Sequence, residues 1–152
     1  MRTVSNKMSI KFESRSVNEA FARQAVGAFA SQLDPTMEEL GDIKTVVSEA
    51  VTNAIVHGYA DRSGFITVAV RLFEGRALEI KIKDTGCGIA PEDQAAVFDR
   101  YFHTTANTKH DSTGLGLTIA QELARLHHGE ILLESEVGKG SCFTLKLPLL
   151  AD

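Results

Sequence analysis

The sequence predicts an α+β fold: a two-layer α/β sandwich whose mixed, mostly antiparallel sheet is covered on one face by helices. The predicted order is strand, two helices, two strands, short helix, irregular segment, helix and two strands, which groups helices between hairpin-connected strands. Short turns at 74–76 and 137–140 join consecutive strands. Alternating apolar residues, as in Ile66, Val68, Val70 and Leu72, indicate strands with one buried face.

Size and composition predict one domain spanning residues 1–152. The chain is 43% hydrophobic and 24% charged, which suffices for a sizeable core. Its net charge of -4, with both signs interspersed, argues against nucleic-acid binding. No apolar run is long enough for a membrane span or a signal peptide, and the two cysteines have no paired spacing. We therefore expect a cytoplasmic protein.

The first elements are predicted from alternation and capping residues. A strand is expected at 8–14. Ser16 and Glu19 form a candidate capping box that begins a helix running to about Gln32, with Phe21, Ala25, Ala28 and Phe29 at helical spacing.

A second, longer helix begins at another candidate capping box, Thr36 with Glu39, and ends near Gly58. Strands at 66–72 and 78–82, a short helix at 91–98, a helix at 115–126 and strands at 130–135 and 141–147 complete the chain. Asp84 continues the buried face of the third strand, where a carboxylate needs an explanation.

Glu49 and Asn53 lie four residues apart at the border of the apolar stripe of the long helix. A carboxylate and a carboxamide there would suit Mg²⁺ with its phosphate, and the carboxylate could accept a proton. The helix alone slightly favours a simpler alternative, in which both residues border a solvated face.

Four motifs follow one another: Glu49-x-x-x-Asn53, Asp84-x-Gly86-x-Gly88, Gly114-x-Gly116 and Gly138-x-Gly140. Each glycine pair alone is explained more simply as a turn. Together, over residues 40–147, they resemble the ATP-binding (Bergerat) fold of the GHKL family, which includes gyrase-type ATPases, Hsp90, MutL and histidine kinases.

The resemblance implies ATP/ADP and Mg²⁺ as ligands. Asp84 would accept the adenine amino N–H, Gly86 and Gly88 would let the backbone pass close to the base, and Asn53 would hold Mg²⁺. Glu49 would be the general base that activates the attacking oxygen.

The phosphate end would be formed by the second glycine motif and a lid at 103–113. By the same resemblance, the nucleotide-site residues there would be Thr105, Lys109, Thr113, Gly114, Leu115, Gly116 and Leu117. A solvated loop is the simpler explanation of Lys109.

The first sixty residues, including the run from Ile43 to Tyr59, resemble the sporulation anti-sigma-F factors. That resemblance implies a serine kinase that forms a homodimer, binds a sigma factor and phosphorylates an anti-anti-sigma protein, with Arg23 on the partner-binding surface. Without the resemblance, Arg23 is a solvated helix arginine.

The second half, as in 112–117 and 134–141, resembles histidine-kinase catalytic domains instead, and Ser112 stands where the anti-sigma factors usually have arginine. A divergent family member and a deliberately joined sequence both fit this pattern. Two other functions therefore stay open: an isolated histidine-kinase module, and a nucleotide-switched binding module with little turnover. None of the five histidines lies in a predicted phosphoacceptor helix with the acidic neighbour that such a site carries.

Overall fold

The computed structural model describes residues 3–58, 64–98 and 116–149. The predicted lid lies outside these ranges, as do five predicted nucleotide-site residues, Thr105, Lys109, Thr113, Gly114 and Leu115. The roles assigned to them stay predictions.

Five strands form one sheet in the order β1-β2-β3-β5-β4. Their bounds are β1 Val4–Glu13, β2 Phe65–Phe73, β3 Ala77–Asp84, β4 Glu130–Glu136 and β5 Gly140–Pro148. The predicted α+β class is confirmed, and every strand pairing is antiparallel, so the sheet of the described residues has no parallel component.

The described helices are α1 Asn18–Ala30, α2 Met37–Asn53, α3 Pro91–Gln94 and α4 Gly116–Leu126. A 3₁₀ turn, Ser31–Leu33, follows α1, and a π-helical turn, Ala54–Gly58, follows α2. The third helix stops at Gln94, four residues earlier than expected, and 95–98 form a turn.

The core lies between one face of the sheet and the helices α1, α2 and α4. Ile66, Val68 and Val70 of β2 are fully buried there, as Val47 and Val51 of α2 are. The other face carries a row of charged residues across all five strands: Lys7, Arg71, Glu79, Lys146 and Glu130. This division follows from the alternation of side chains along each strand.

Two predictions about α1 are wrong. Its N-cap is Val17, which makes no side-chain capping bond, and the Glu19 carboxylate pairs with Arg23 instead. The buried face is Ala22, Val26 and Ala30 rather than the stripe that begins with Phe21. Phe21 is half exposed, and its ring packs edge-on against Phe12 of β1, with 6.2 Å between the ring centroids.

The start of α2 is as predicted. The Glu39 N–H donates to the Thr36 hydroxyl oxygen at 3.0 Å, and the Thr36 N–H donates to the Glu39 carboxylate at 2.8 Å. The end differs from a regular α-helix, since the π-helical turn begins directly after Asn53. Such turns re-aim the backbone within a helix and are frequent at functional sites.

Candidate functional site

Asp84 ends β3 on the core face and is 4% exposed. Its carboxylate accepts a hydrogen bond from the Gly86 N–H at 2.9 Å, and the Ser141 N–H also donates to it. Burial raises the pKa of the Asp84 carboxyl, and those two N–H donors oppose that rise. A buried carboxylate at a strand end, held by backbone donors, can accept a further N–H from a planar ligand.

The loop after Asp84 packs directly on the turn between β4 and β5. Gly88 has φ +74°, and a Cβ there would collide with the backbone carbonyl of Glu136. Gly140 has φ +113°, and its Cβ would collide with the carbonyl of Asp84. Both positions therefore require glycine for contacts within the chain, a reason that the sequence argument from the adenine base did not include.

Two polar residues hold the same loop and were missed in the sequence. The Ser135 hydroxyl accepts from the Ile89 N–H at 2.8 Å, and the Gln94 amide donates to the Ile89 carbonyl, also at 2.8 Å. Ser135 and Ile89 are 46 residues apart, so no local pattern could have indicated this contact.

Glu49 and Asn53 lie at the C-terminal end of α2, and both are half-buried. Burial raises the pKa of the Glu49 carboxyl, and the negative charge of Glu19 raises it further. The π-helical turn after Asn53 contacts β3 and β5, the strands that carry Asp84 and Ser141. The long helix therefore leads, through this turn, to the two strands that carry Asp84 and Ser141.

Gly116 begins α4 and lies beside the proposed base. A Cβ on Gly116 would come within 2.5 Å of Glu49 Oε2, so the carboxylate occupies the space that glycine leaves. The N–H groups of a helix start favour anions, including phosphates. Leu117, by contrast, is 7% exposed and belongs to the hydrophobic core, so only its backbone is available to a ligand.

Arg23 lies on α1, where its Nε donates to the Glu19 carboxylate at 2.9 Å. Glu19 is also the residue whose charge acts on Glu49. Glu19 thus pairs with the predicted partner-binding arginine, and its negative charge also raises the pKa of the predicted base.

Within the described ranges, no group of three or more His, Cys, Asp or Glu side chains is placed to hold a metal ion. Mg²⁺ bound to a triphosphate needs only one or two protein oxygens, and the Asn53 amide fits that requirement. No described helix is both long and apolar enough to cross a membrane.

A family model described as "Histidine kinase-, DNA gyrase B-, and HSP90-like ATPase" matches residues 39–151. The chain belongs to this ATPase family. The match begins in α2 and includes Glu49, Asn53, Asp84 and all three glycine motifs, so the family predicted from the sequence is confirmed.

The curated relatives are more specific. An anti-sigma F factor of Geobacillus kaustophilus is 43% identical over 142 residues, covering 93% of this chain and 91% of the relative. An anti-sigma F factor of Clostridium acetobutylicum is 41% identical, with 93% and 92% covered. Within the ATPase family, the chain is therefore homologous to the anti-sigma F factors over nearly its whole length.

Solved structures of histidine kinases share the fold. A mycobacterial sensor histidine kinase superposes with a TM-score of 0.64 at 19% identity, covering 91% of this chain and 97% of that one. A histidine kinase domain from Erythrobacter litoralis gives 0.58 at 23% identity, covering 86% of this chain and 60% of that one. At these identities the likeness concerns the fold.

Proposed function

We propose that this chain is an ATP-dependent protein-serine kinase and anti-sigma factor. The observation that carries the proposal is the contact between Glu49 and the start of α4 at Gly116. It supports a general base beside a helix end suited to phosphate, in a chain homologous to anti-sigma F factors.

In this proposal each residue has one task. Asp84 accepts the amino N–H of adenine, and Asn53 contributes its amide oxygen to Mg²⁺, which neutralises charge on the phosphates when it is bound. Glu49 accepts the proton of the attacking serine hydroxyl. The serine oxygen then forms a bond to the γ-phosphorus of ATP as the bond to the β–γ bridging oxygen breaks, with ADP as the leaving group.

The partners in this proposal are those of an anti-sigma factor. A sigma factor binds the nucleotide-loaded protein, an anti-anti-sigma protein supplies the serine, and Arg23 contributes to the docking surface. A homodimer and a cytoplasmic location belong to the same proposal. Among the described residues, the helices pack on the other face of the sheet, so we assign the face with the charged row to contact with a second copy.

The test is a transfer assay with labelled ATP, Mg²⁺ and a candidate anti-anti-sigma protein. We expect an acid-stable phosphoserine on the partner. The Glu49→Gln variant should keep nucleotide binding and lose transfer by roughly 10²-fold or more, since the base is removed. Glu38→Gln, on an exposed position of the same helix, is the matched control and should transfer normally. An unchanged rate of phosphate transfer by Glu49→Gln would contradict the role of Glu49 as the general base.

The motifs of the second half, at 112–117 and 134–141, favour a second candidate, an isolated histidine-kinase module. In the same assay that function would give an acid-labile phosphohistidine on a separate acceptor. Binding of ATP with no transfer to any acceptor would instead indicate a nucleotide-switched binding module.

A further inference from the structure

The hydroxyl of Ser135, near the end of β4, takes part in three hydrogen bonds. It donates to the Gly140 carbonyl at 2.9 Å, accepts from the Ile89 N–H at 2.8 Å, and lies 2.8 Å from the Ser141 hydroxyl. A hydroxyl has one hydrogen and two acceptor lone pairs. Because its hydrogen goes to Gly140, the Ser141 hydroxyl is the donor of the third bond, and the capacity of Ser135 is fully used.

Gln94 completes the arrangement from α3. Its amide nitrogen donates to the Ile89 carbonyl at 2.8 Å and to the Ser135 carbonyl at 3.0 Å. The N–H and the C=O of Ile89 are thus both held, one by Ser135 and the other by Gln94. We call Ser135 and Gln94 the loop clip.

The residues that the clip holds are those that surround Asp84. Ser141 is the direct strand partner of Asp84, and its N–H donates to the carboxylate. Gly140 packs against the Asp84 carbonyl, and the loop that ends at Ile89 begins with Gly86, the other donor to the carboxylate. The clip therefore joins the two backbone segments that fix the Asp84 side chain.

We propose that Ser135 and Gln94 are positioning residues of the purine site. They hold the 86–89 loop and the start of β5 so that the Asp84 carboxylate keeps the orientation that accepts the base. This inference rests on the proposed function but assigns the clip to nucleotide affinity alone. Neither residue contacts Glu49 among the contacts of the described chain, so the transfer step is not their task.

The test compares Ser135→Thr with Ser135→Val. The two side chains have nearly the same shape, and only threonine keeps the hydroxyl. Calorimetry with Mg-ADP and with a non-hydrolysable Mg-ATP analogue should give a dissociation constant about tenfold higher for the valine variant than for the threonine variant, the loss expected for one or two hydrogen bonds. The factor should be the same for both nucleotides, because the clip acts at the base end.

The kinetic readout separates positioning from general stability. At saturating ATP the valine variant should transfer phosphate at the rate of the threonine variant, with the KM for ATP raised by the same factor as the dissociation constant. Equal affinities of the two variants would overturn the proposal. So would a fall in the saturated rate without a change in KM.

Gln94→Met provides an independent variant if Ser135→Val does not fold. The substitution keeps the length of the side chain and removes both hydrogen bonds of the Gln94 amide. Gln94 lies on the four-residue helix α3, outside the buried core. We expect the same rise in KM for ATP, and unchanged nucleotide affinity would overturn the role of Gln94. Absence of nucleotide binding by the unaltered protein would overturn the proposed function instead, so the two failures are distinguishable.

Discussion

Asp84 and Glu49 both have a raised pKa, and burial is the first cause in each. Their surroundings otherwise differ. Asp84 receives two backbone N–H donors, whereas Glu49 has the like charge of Glu19 near it. The first arrangement retains an ionised acceptor for a ligand N–H, and the second favours a base that binds a proton more readily than an exposed glutamate does.

The charge of Glu19 leads to a prediction about pH. Transfer requires ionised Glu49, so the rate should fall as pH is lowered through the pKa of that carboxyl. Glu19→Gln removes a negative charge that raises this pKa, and the acidic limb of the rate profile should therefore move to lower pH. The measurement is the saturated transfer rate against pH. Glu38→Gln should leave the acidic limb of the rate profile at the same pH. If the limb also stays at the same pH in Glu19→Gln, the charge of Glu19 does not act on the pKa of Glu49.

Asp84→Asn tests the purine contact. The variant should fold and lose measurable affinity for adenine nucleotides, because an amide presents one oxygen and an unwanted donor.

The pKa of the Asp84 carboxyl is raised in the folded state, so its ionised form lowers the free energy of unfolding above that pKa. This cost disappears as the pH falls below the pKa of the unfolded state. The wild type should therefore gain stability relative to Asp84→Asn on acidification, measured by denaturant unfolding at several pH values.

At the scale of elements, the turn between β4 and β5 does more than connect two strands. Gly138 and Gly140 both have positive φ, but a Cβ on Gly138 would meet nothing within 4 Å, whereas one on Gly140 would meet the backbone of Asp84 and Thr85. At both positions a residue with a Cβ would be strained, but only at Gly140 would that Cβ also collide with the packed backbone.

This difference gives a matched pair of substitutions. Gly138→Ala should lower the free energy of unfolding by about 1–2 kcal/mol, the cost of a left-handed residue with a side chain. Gly140→Ala should lower it further and also weaken nucleotide binding, since the backbone behind Asp84 must move. Chemical denaturation and calorimetry measure the two effects. Equal losses in both variants would contradict the packing role of Gly140.

Sequence patterns were reliable for elements whose signals are local. The capping box of Thr36 and Glu39 fixed the start of α2 because both bonds join residues three apart. The same pattern at Ser16 and Glu19 failed because Glu19 has a competing partner, Arg23, one turn further on. The predicted buried face of α1 was wrong because the small residues Ala22, Val26 and Ala30 face the core, whereas Phe21 meets the ring of Phe12 and stays half exposed.

For the candidate site, the residue types were predictable and their mutual support was not. Asp84 stood out because a carboxylate interrupted an apolar row. Ser135 and Gln94 gave no signal, since the bonds from Ile89 to Ser135 and from Gln94 to the Ser135 carbonyl join residues 46 and 41 positions apart. The collision of a Gly88 Cβ with Glu136 likewise appears only once the loop and the turn are packed.

At the scale of the whole molecule, the described helices and strands share one core. Residues of α1, α2, α4 and all five strands belong to a single hydrophobic cluster. If the chain forms one domain, as predicted, the protein should unfold in a single cooperative thermal transition with equal calorimetric and van't Hoff enthalpies. A second transition, or a van't Hoff enthalpy well below the calorimetric one, would contradict it.

The contact of the β4–β5 turn with the loop after Asp84 also restricts how such a chain can change length. Glu136 and Gly140 touch that loop from the two ends of the turn through backbone atoms. The exposed side chains of Val137 and Lys139 between them are free to vary, but an inserted or deleted residue would shift one end of the turn relative to the other. Relatives in which the turn packs on the loop after the purine-binding aspartate should therefore keep the number of residues between those two positions, even where the amino acids in between differ.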